Sequence, residues 1–552
     1  MMIFQTRPHP LWGVFLLAAI LCLCLYGVSS FSRPLFPIDE TRYLTVAWEM
    51  HHSGNWVLPT LNWEAYHHKP PVLFWLINLF WAVFGFSQKA AMAVPFLASF
   101  AVLCLNGLLA QRMMPSSRSF PLVATAILGG SLPFMIYSSL VMFDVLLSVA
   151  VLGGLLSLWQ YAQTGKKLYL LGFALAVGAG ALIKGPVILL HLLFPVVLVR
   201  FWKKPEAPSV PRKIWGLGFL GAVLLGAALA LCWAIPAGIE GGPEFRDKIF
   251  WGQTAGRMVK AFDHQRPFWW YVGFIPLFLL PWVFSPAVWS GVKSLRSNTT
   301  PEEKALLRFI LCWVPPVFLS FCFISGKQVH YLLPLLAGMS LTVAVAIEKV
   351  KQNWRPLDLL PVLSLPLFLS LLPLALKIFA DVILPAFPKQ ILLPDVLKNI
   401  DGTWSWMAGI AILLIGFVSV NKSYRVGLLS VVVSMAIFMG SLMLEAKDSL
   451  FPNFDLAPIA KVLASYPNHP IATIRTYHGE FGFLGQLDTP VHFVLEGDLP
   501  KWFEDHPNGL AVIRTSSPQE LSSYDILFQQ AYRTANFYAI VVKSGEIENF
   551  QK

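Results

Sequence analysis

The sequence predicts an all-α polytopic membrane protein that carries a small α/β domain after its last span. Three observations predict this class. Hydrophobic residues make up 56% of the 552 residues and charged residues only 13%, a composition foreign to soluble globular proteins of this length. Apolar segments of about 20 residues, enough to cross a bilayer as a helix, recur through residues 1–443. After Glu445 the hydropathy falls and strand-like segments appear.

The apolar segments give about thirteen candidate membrane spans. The apolar run of the first span is longer than that of a typical signal peptide, so we expect a retained signal anchor there. The pair around Lys184 is the shortest. The predicted spans are 11–31, 91–113, 120–137, 141–162, 168–183, 186–201, 214–236, 269–290, 306–325, 331–347, 357–380, 404–420 and 425–443.

Basic residues fall in alternate short loops, for example at Arg112, Lys166, Lys203, Lys293 and Lys422. Because such loops face the cytoplasm, we expect a cytoplasmic N-terminus and, with an odd number of spans, an external C-terminal domain. This topology accounts for most of the net charge of +11. The basic residues form no single stripe, which argues against a nucleic-acid partner.

We expect residues 1–443 to form a membrane module and residues 444–552 a small outer α/β domain. Two outer loops, about 32–90 and 238–268, interrupt the module. The first loop holds apolar helical segments that suit the membrane interface. The predicted interfacial helices are 42–52 and 72–84, and the outer domain has predicted strands at 471–474, 509–513 and 537–542 and predicted helices at 456–466 and 499–505.

Charged and polar residues gather at the outer ends of the predicted helices. Asp39, Glu40, Arg42 and Tyr43 follow the first span, and charges at the mouth of a membrane bundle usually mark a site for an ionic substrate or a reaction. The other members that the predicted topology places on the outer side are Lys69, Asp144, Lys184, Arg257, His264, Lys327 and His330.

Each of these residues also has an ordinary structural interpretation. A lysine at a helix end, such as Lys184 or Lys327, can extend to lipid headgroups. Asp144 can cap the helix that it begins. The functional interpretation rests on the number of such residues on one face, and on the position of Asp39 directly after an apolar span.

The residue types suit a phosphate-bearing lipid substrate. Arginine can contact a phosphate through two parallel hydrogen bonds, and lysine acts as a point charge. A carboxylate beside them suits general-base or orienting work. Such a set could perform a substitution at a sugar anomeric carbon with a lipid phosphate as leaving group, because the cations stabilise the charge that develops there.

The order of these motifs resembles the GT-C membrane glycosyltransferases of the protein O-mannosyltransferase and aminoarabinose-transferase superfamily. The resemblance covers the whole chain and implies a GT-C fold and a catalytic periplasmic face. The motifs that carry it are Asp39-Glu40-Thr41-Arg42-Tyr43, Tyr66-x-x-Lys69-Pro70-Pro71, Lys184-Gly185-Pro186, His264-x-x-Pro267-Phe268-Trp269-x-Tyr271 and Gly326-Lys327-x-x-x-Tyr331.

The resemblance also implies roles for individual residues. Asp39 matches the catalytic carboxylate, with Glu40 beside it, and Asp144 matches a second acidic residue of the site. The residues expected to bind substrate are Arg42, Tyr43, Tyr66, Lys69, Lys184, Arg257, His264, Lys327 and Tyr331. His68 stands where the family often has an acidic residue. A divalent metal held by His68 and His264 is therefore a subsidiary hypothesis, and no other cofactor is expected.

The leading hypothesis is an inverting enzyme of the bacterial inner membrane that uses a sugar on undecaprenyl phosphate and modifies lipid A or lipopolysaccharide. Its partners would be the polyprenyl-linked donor, the lipid acceptor and membrane lipids. One alternative is a protein O-mannosyltransferase-like enzyme with a polypeptide acceptor. Another is a transporter of lipid-linked sugars or anions, but transporters often show repeated halves and helices broken near mid-membrane, and this sequence shows no repeat.

Overall fold

The computed structural model of the chain describes residues 11–250, 265–383, 396–397 and 399–544. It is a helical membrane bundle followed by a small sheet unit, which confirms the predicted fold class. Within the described part of the chain, 7 helices are long and apolar enough to span a membrane. They are Leu11–Ser32, Gln88–Met113, Phe143–Thr164, Arg212–Glu240, Pro301–Phe323, Pro356–Ile378 and Tyr424–Ser449.

The count of about thirteen spans is not confirmed, because several predicted spans are short or broken. Two helices bent by 68° against each other would make an eighth span. Glycine and proline interrupt others: Gly185, at φ +79°, and Pro186 follow directly after one short helix. The bent pair is Phe120–Gly129 and Leu132–Ser138, and the shorter helices are Leu168–Lys184, Val187–Val197, Leu335–Val350 and Thr403–Ser419.

The first outer loop contains two helices where two were predicted. The outer helix, Asp39–Ser53, begins with the charged motif and ends at Gly54, whose φ is +69°. Val72–Phe84 follows and buries Phe74, Ile77 and Trp81 against the bundle. Between them lies a two-stranded hairpin, Thr60–Leu61 and Glu64–Ala65, which we call the outer hairpin.

The remaining helices are short and connect the longer ones. The α-helical pieces are Val199–Trp202, Gly242–Asp247, Ile275–Phe278, Pro286–Ser294 and Ala380–Ile383, and the 3-10 helices are Phe268–Phe274, Trp282–Phe284, Val329–Leu332, Lys351–Asn353, Phe451–Asn453, Glu496–Asp498 and Pro518–Leu521. Aromatic residues fill the bundle where the helices cross. Trp159 and Trp202 stack with ring centroids 5.5 Å apart, and both rings meet the edge of Phe309.

The C-terminal unit is built on a mixed five-stranded sheet with its own core on both faces. The strands in chain order are Ile471–Thr473, Val491–Phe493, Leu510–Thr515, Tyr524–Tyr532 and Thr534–Ser544, and the helices are Ala457–Ala464, Gly482–Gly485 and Leu499–Asp505. The first three strands run parallel, with Ile471–Thr473 in the middle, and the last two pair antiparallel. The division at residues 443 and 444 stays a prediction, since the last long helix runs to Ser449.

Candidate active site

The outer helix presents an accessible carboxylate at its first residue. The Asp39 side chain is 46% exposed. Its Oδ1 lies 3.9 Å from Arg42 Nη1, and the Tyr43 hydroxyl donates to the same oxygen at 3.4 Å. The Tyr43 ring packs edge-on against Phe143, with centroids 5.0 Å apart. Asp39 is therefore held in place by loose contacts and can still accept a proton or a hydrogen bond from a substrate.

Glu40 was predicted beside Asp39 as a catalytic residue, but its environment is that of a structural anchor. Its carboxylate is buried and accepts two hydrogen bonds from Arg33, at 2.6 and 2.8 Å. The backbone N–H groups of Phe36 and Val141 donate to it at 2.9 and 2.7 Å. Four donors satisfy both oxygens, so Glu40 ties the end of the first span to the turn at residue 141.

A second carboxylate, Asp144, is buried at the start of the helix Phe143–Thr164. Its side chain is 3% exposed and forms an ion pair with Lys184. The His330 Nε2 atom lies 3.8 Å from its other oxygen. The Lys184 ammonium also lies 4.3 Å from the centre of the Tyr331 ring. Three elements that are distant in the sequence, Phe143–Thr164, Leu168–Lys184 and Val329–Leu332, thus bring these side chains together, and we call Asp144, Lys184, His330 and Tyr331 the Asp144 cluster.

Lys184 and Tyr331 also face a cavity of about 470 Å³. His67, His68 and Lys69 from the first outer loop line the same cavity. The rest of its wall is apolar, with contributions from the helices Leu168–Lys184 and Arg212–Glu240. The cavity therefore combines cationic side chains with a long apolar surface.

The carboxylates and the lysines share one electrostatic environment. The charges of Asp144, Lys184, Asp39 and Lys69 all act on His330. Lys69 also acts on Asp144. The outer helix, the loop before Val72–Phe84 and the Asp144 cluster therefore meet at one place on the bundle, as the motif order implied.

Lys327 was predicted to complete the pocket, but the structure gives it another position. Its ammonium is buried and donates to the backbone carbonyls of Arg266, at 3.0 Å, and Ile324, at 2.5 Å. It does not line the cavity described above. The last carbonyls of a helix have no hydrogen-bond partner within the helix, and a lysine ammonium that donates to them is favourable. Lys327 thus joins the end of Pro301–Phe323 to the segment at residue 266.

Tyr66 is buried and lies at the base of the histidine pair. Its ring centroid is 5.4 Å from that of His68 and 6.3 Å from that of Phe74. The rings of His67 and His68 are 4.3 Å apart. The predicted site residues Arg257 and His264 lie outside the described residues.

The metal hypothesis gains no support from the part of the chain that the structure describes. There, no three His, Cys, Asp or Glu side chains come together in a group that could hold a metal ion. His68 has another ring, His67, as its neighbour.

Sequence reasoning missed two residues with clear positions. Arg33 is the partner of Glu40, and the signal for it was an arginine at the end of an apolar span. His330 was noted only as an outer charge, yet it is the second neighbour of Asp144 and meets the Tyr137 ring edge-on, with centroids 5.8 Å apart. Its place directly before Tyr331 could have indicated this.

Comparisons with known proteins bear on the family. Residues 68–233 match the family model described as "Dolichyl-phosphate-mannose-protein mannosyltransferase". A protein from Shewanella sediminis named undecaprenyl phosphate-alpha-4-amino-4-deoxy-L-arabinose arabinosyl transferase is 28% identical over 409 residues, which cover 71% of this chain and 70% of the relative. A protein of the same name from Serratia proteamaculans is 30% identical over 61% of this chain and 59% of its own length.

Solved structures give the same fold over nearly the whole chain. ArnT from Cupriavidus metallidurans in the apo state superposes with a TM-score of 0.72 at 16% identity, covering 96% of this chain and 97% of that protein. Its form bound to undecaprenyl phosphate superposes with a TM-score of 0.70 at 17% identity. In sequence the chain is similar to these glycosyltransferases, and it has the fold of ArnT. The resemblance seen in the motifs is thereby confirmed, while the roles of the individual residues stay predictions.

Proposed function

We propose that this protein moves a sugar from undecaprenyl phosphate to lipid A or lipopolysaccharide, with inversion at the anomeric carbon. The observation that carries the proposal is the cavity that joins Lys69, Lys184 and Tyr331 to an apolar wall. A polyprenyl phosphate has this same division between an anionic head and an apolar tail. The names of the curated relatives, which specify undecaprenyl phosphate and an arabinosyl group, support this donor.

In this proposal the lysines hold the phosphate before and during the reaction. Lys69 and Lys184 would stabilise the charge that grows on the phosphate as its bond to the sugar breaks, which is the kind of interaction that lowers a barrier most. Asp144 orients Lys184 through their ion pair. Arg42, next to Asp39, can contact phosphate or sugar oxygens through two nitrogens.

The part played by Asp39 depends on the acceptor. A phosphate acceptor, such as one on lipid A, is already ionised at neutral pH, so Asp39 would orient groups and balance charge. A sugar hydroxyl has to lose its proton, and Asp39 would then be the general base. Its exposure and its loose contacts suit either role.

The proposed location is the inner membrane of a bacterium, with the cavity and the C-terminal unit on the periplasmic side. The distribution of Lys and Arg among the short loops supports this orientation. The Lys349 Nζ and Glu303 Oε2 atoms lie 2.5 Å apart, at helix ends that this topology places on the cytoplasmic side.

A polypeptide acceptor is the second candidate, because the matching family model describes a protein mannosyltransferase. The two candidates share the donor and differ in the nucleophile. A serine or threonine hydroxyl would need Asp39 as a base, whereas a lipid phosphate would not.

The test is the mass of lipid A and of core lipopolysaccharide from cells that contain the wild-type protein, the Asp39→Asn variant or no copy of the gene. We expect a sugar-sized mass increment that requires both the protein and Asp39, and its value would identify the sugar class. No difference in either fraction among the three strains would reject a lipopolysaccharide acceptor. Sugar-modified peptides from the same strains would then test the polypeptide acceptor.

A further inference from the structure

The C-terminal unit packs closely against the outer helix, which begins with Asp39. Gly479 lies so close that a Cβ atom added to it would be 3.1 Å from Arg42 Cα and 3.3 Å from Thr45 Cβ. A Cβ atom on Gly482 would be 2.4 Å from Thr45 Cγ2. Only glycine lets the two backbones approach this closely.

Hydrogen bonds fix this contact in one register. The Thr45 hydroxyl donates to the carbonyl of Gly479 at 2.9 Å and accepts from the N–H of Phe483 at 3.0 Å. One turn further along, the Trp48 indole N–H donates to the carbonyl of Leu487 at 3.3 Å. The outer helix therefore cannot shift along residues 479–487 of the C-terminal unit without losing these hydrogen bonds.

The side chain of Phe483 extends the contact to the next helix. Its ring stacks on Trp81 with centroids 5.5 Å apart and planes within 5°, and Phe86 lies 5.5 Å away on another side. Phe483 is buried with the membrane bundle's own core. The C-terminal unit is thus packed into the bundle at this point and not merely tethered to it.

The outer hairpin forms the second half of the contact. The Glu49 carboxylate accepts the N–H groups of Asn62, at 2.7 Å, and Trp63, at 2.9 Å. Both turn residues have positive φ, 58° and 65°, which bulky residues adopt only when their surroundings impose it. The Asn62 amide pairs with both backbone groups of Val491, at 2.7 and 3.0 Å, on the edge strand of the C-terminal sheet.

We infer that residues 477–487 and the outer hairpin form a clamp that holds the reacting groups in position, with Thr45 and Gly482 as positioning residues. The inference rests on the proposed function, because it takes Asp39, Arg42 and Lys69 as reacting or phosphate-binding groups. The clamp contacts the outer helix within two turns of Asp39. Its hairpin leads directly into the segment that carries Lys69. One clamp would therefore set the distance between the carboxylate and the phosphate-binding lysine.

The experiment introduces one methyl group into the clamp and then makes room for it. Gly482→Ala places a carbon against Thr45 Cγ2, and Thr45→Ser removes that carbon while keeping the hydroxyl that makes both hydrogen bonds. Gly497→Ala is the matched control, because nothing lies within 4 Å of its added carbon in the same C-terminal unit. The four proteins are wild type, the two single glycine variants and the Gly482→Ala/Thr45→Ser double variant.

Transfer is measured with the purified full-length proteins, together with binding of undecaprenyl phosphate and thermal stability. We expect Gly482→Ala to lower kcat about 10- to 100-fold, the range for a displacement of about 1 Å. Binding of undecaprenyl phosphate should change less, because the apolar wall of the cavity is untouched. The double variant should recover most of the rate, and Gly497→Ala should match wild type.

Hydrogen exchange of residues 39–53 supplies a readout that does not depend on turnover. Gly482→Ala should speed exchange there and the double variant should slow it again. Unchanged kcat and exchange in Gly482→Ala would overturn the clamp, as would a rate loss that Thr45→Ser fails to recover. Wild-type protein without transfer activity would instead reject the proposed function, and the exchange measurement would still decide whether the clamp holds the helix.

Discussion

The carboxylates of Asp39 and Asp144 lie close together in the bundle but in opposite environments. Asp39 is 46% exposed, and its nearest partners are at 3.4 and 3.9 Å. Asp144 is 3% exposed and has an ammonium in direct contact and an imidazole at 3.8 Å. One region is open and weakly held, whereas the other is closed and charge-paired. The difference indicates that Asp39 is available to a substrate while Asp144 serves the lysine beside it.

Glu40 sharpens this comparison because it is the sequence neighbour of Asp39. Successive residues of a helix point about 100° apart, so one carboxylate faces the open side and the other faces Arg33 in the interior. Four hydrogen bonds occupy Glu40. Of these two adjacent acids, Asp39 is therefore the candidate for the reaction, and Glu40 holds the structure together.

The largest expected effect is on turnover in Asp39→Asn. If Asp39 is a general base, kcat should fall about 10²- to 10⁴-fold, the usual contribution of such a group. The melting temperature should stay near that of wild type, because the side chain is half exposed and loosely bound. Steady-state transfer and thermal melting of the purified variant would measure both. A variant with normal turnover would contradict the role of Asp39.

The second prediction concerns the Asp144–Lys184 ion pair and is measured as a change in the free energy of unfolding. Asp144→Ala leaves the partly buried Lys184 ammonium without its ion-pair partner, so we expect a stability loss below the roughly 3–5 kcal/mol typical of fully buried pairs. The double variant Asp144→Ala/Lys184→Met should regain much of that loss and remain inactive, because the phosphate has lost a cation. Denaturant unfolding in detergent compares wild type with the single and the double variant. Equal stability of the single and double variants would mean that the pair is not coupled.

The third prediction separates two lysines, Lys69 and Lys327, that the motifs did not distinguish. Lys69 lines the cavity, whereas Lys327 binds the carbonyls of Arg266 and Ile324. Lys69→Ala should weaken undecaprenyl phosphate binding about 10- to 100-fold, as expected for a hydrogen bond to a charged group.

Lys327→Ala is the matched comparison. It should lower the melting temperature and leave the affinity of the folded protein for undecaprenyl phosphate near that of wild type. Isothermal titration of both variants with undecaprenyl phosphate would distinguish them. A larger affinity loss in Lys327→Ala than in Lys69→Ala would reverse the assignment made from the structure.

The sequence was sufficient for the fold class and for much of the Asp144 cluster. Apolar length predicted the bundle, charges at outer helix ends placed Asp144, Lys184 and His330 on one face, and the family resemblance added Tyr331. Span counting was less successful because proline and glycine cut predicted spans into pieces, as at Gly185 and Pro186. A mean hydropathy over a window does not register such breaks.

Other features depended on contacts that have no local signal. The strand Tyr524–Tyr532 was not predicted, since it is an edge strand whose residues do not alternate between buried and exposed. Glu40 was grouped with Asp39 because nothing in the sequence shows that the N–H of Val141, about 100 residues away, donates to it. The resemblance assigned Lys327 to the pocket, although two backbone carbonyls hold its ammonium elsewhere.

The smallest expected effect concerns a fourth carboxylate, Glu49, which is buried like Asp144 but has neutral partners. Burial raises the pKa of Glu49, and the hydrogen bonds from Thr60, Trp63 and Asn62 offset only part of that rise. The folded protein therefore holds this proton more tightly than the unfolded chain does. Stability from Glu49 should then decrease as the pH rises from about its ordinary pKa of 4.5 to its folded pKa, and stay constant above that.

Glu49→Gln removes this titration and keeps an oxygen that can accept from the turn. The melting temperature of Glu49→Gln minus that of wild type should therefore increase with pH through this window and then level off. Thermal melts of both purified proteins across pH 4–8 would show it, since other titrating groups cancel in the difference. A difference that falls with pH would mean that the surroundings of Glu49 stabilise its ionised form. That result would contradict the prediction.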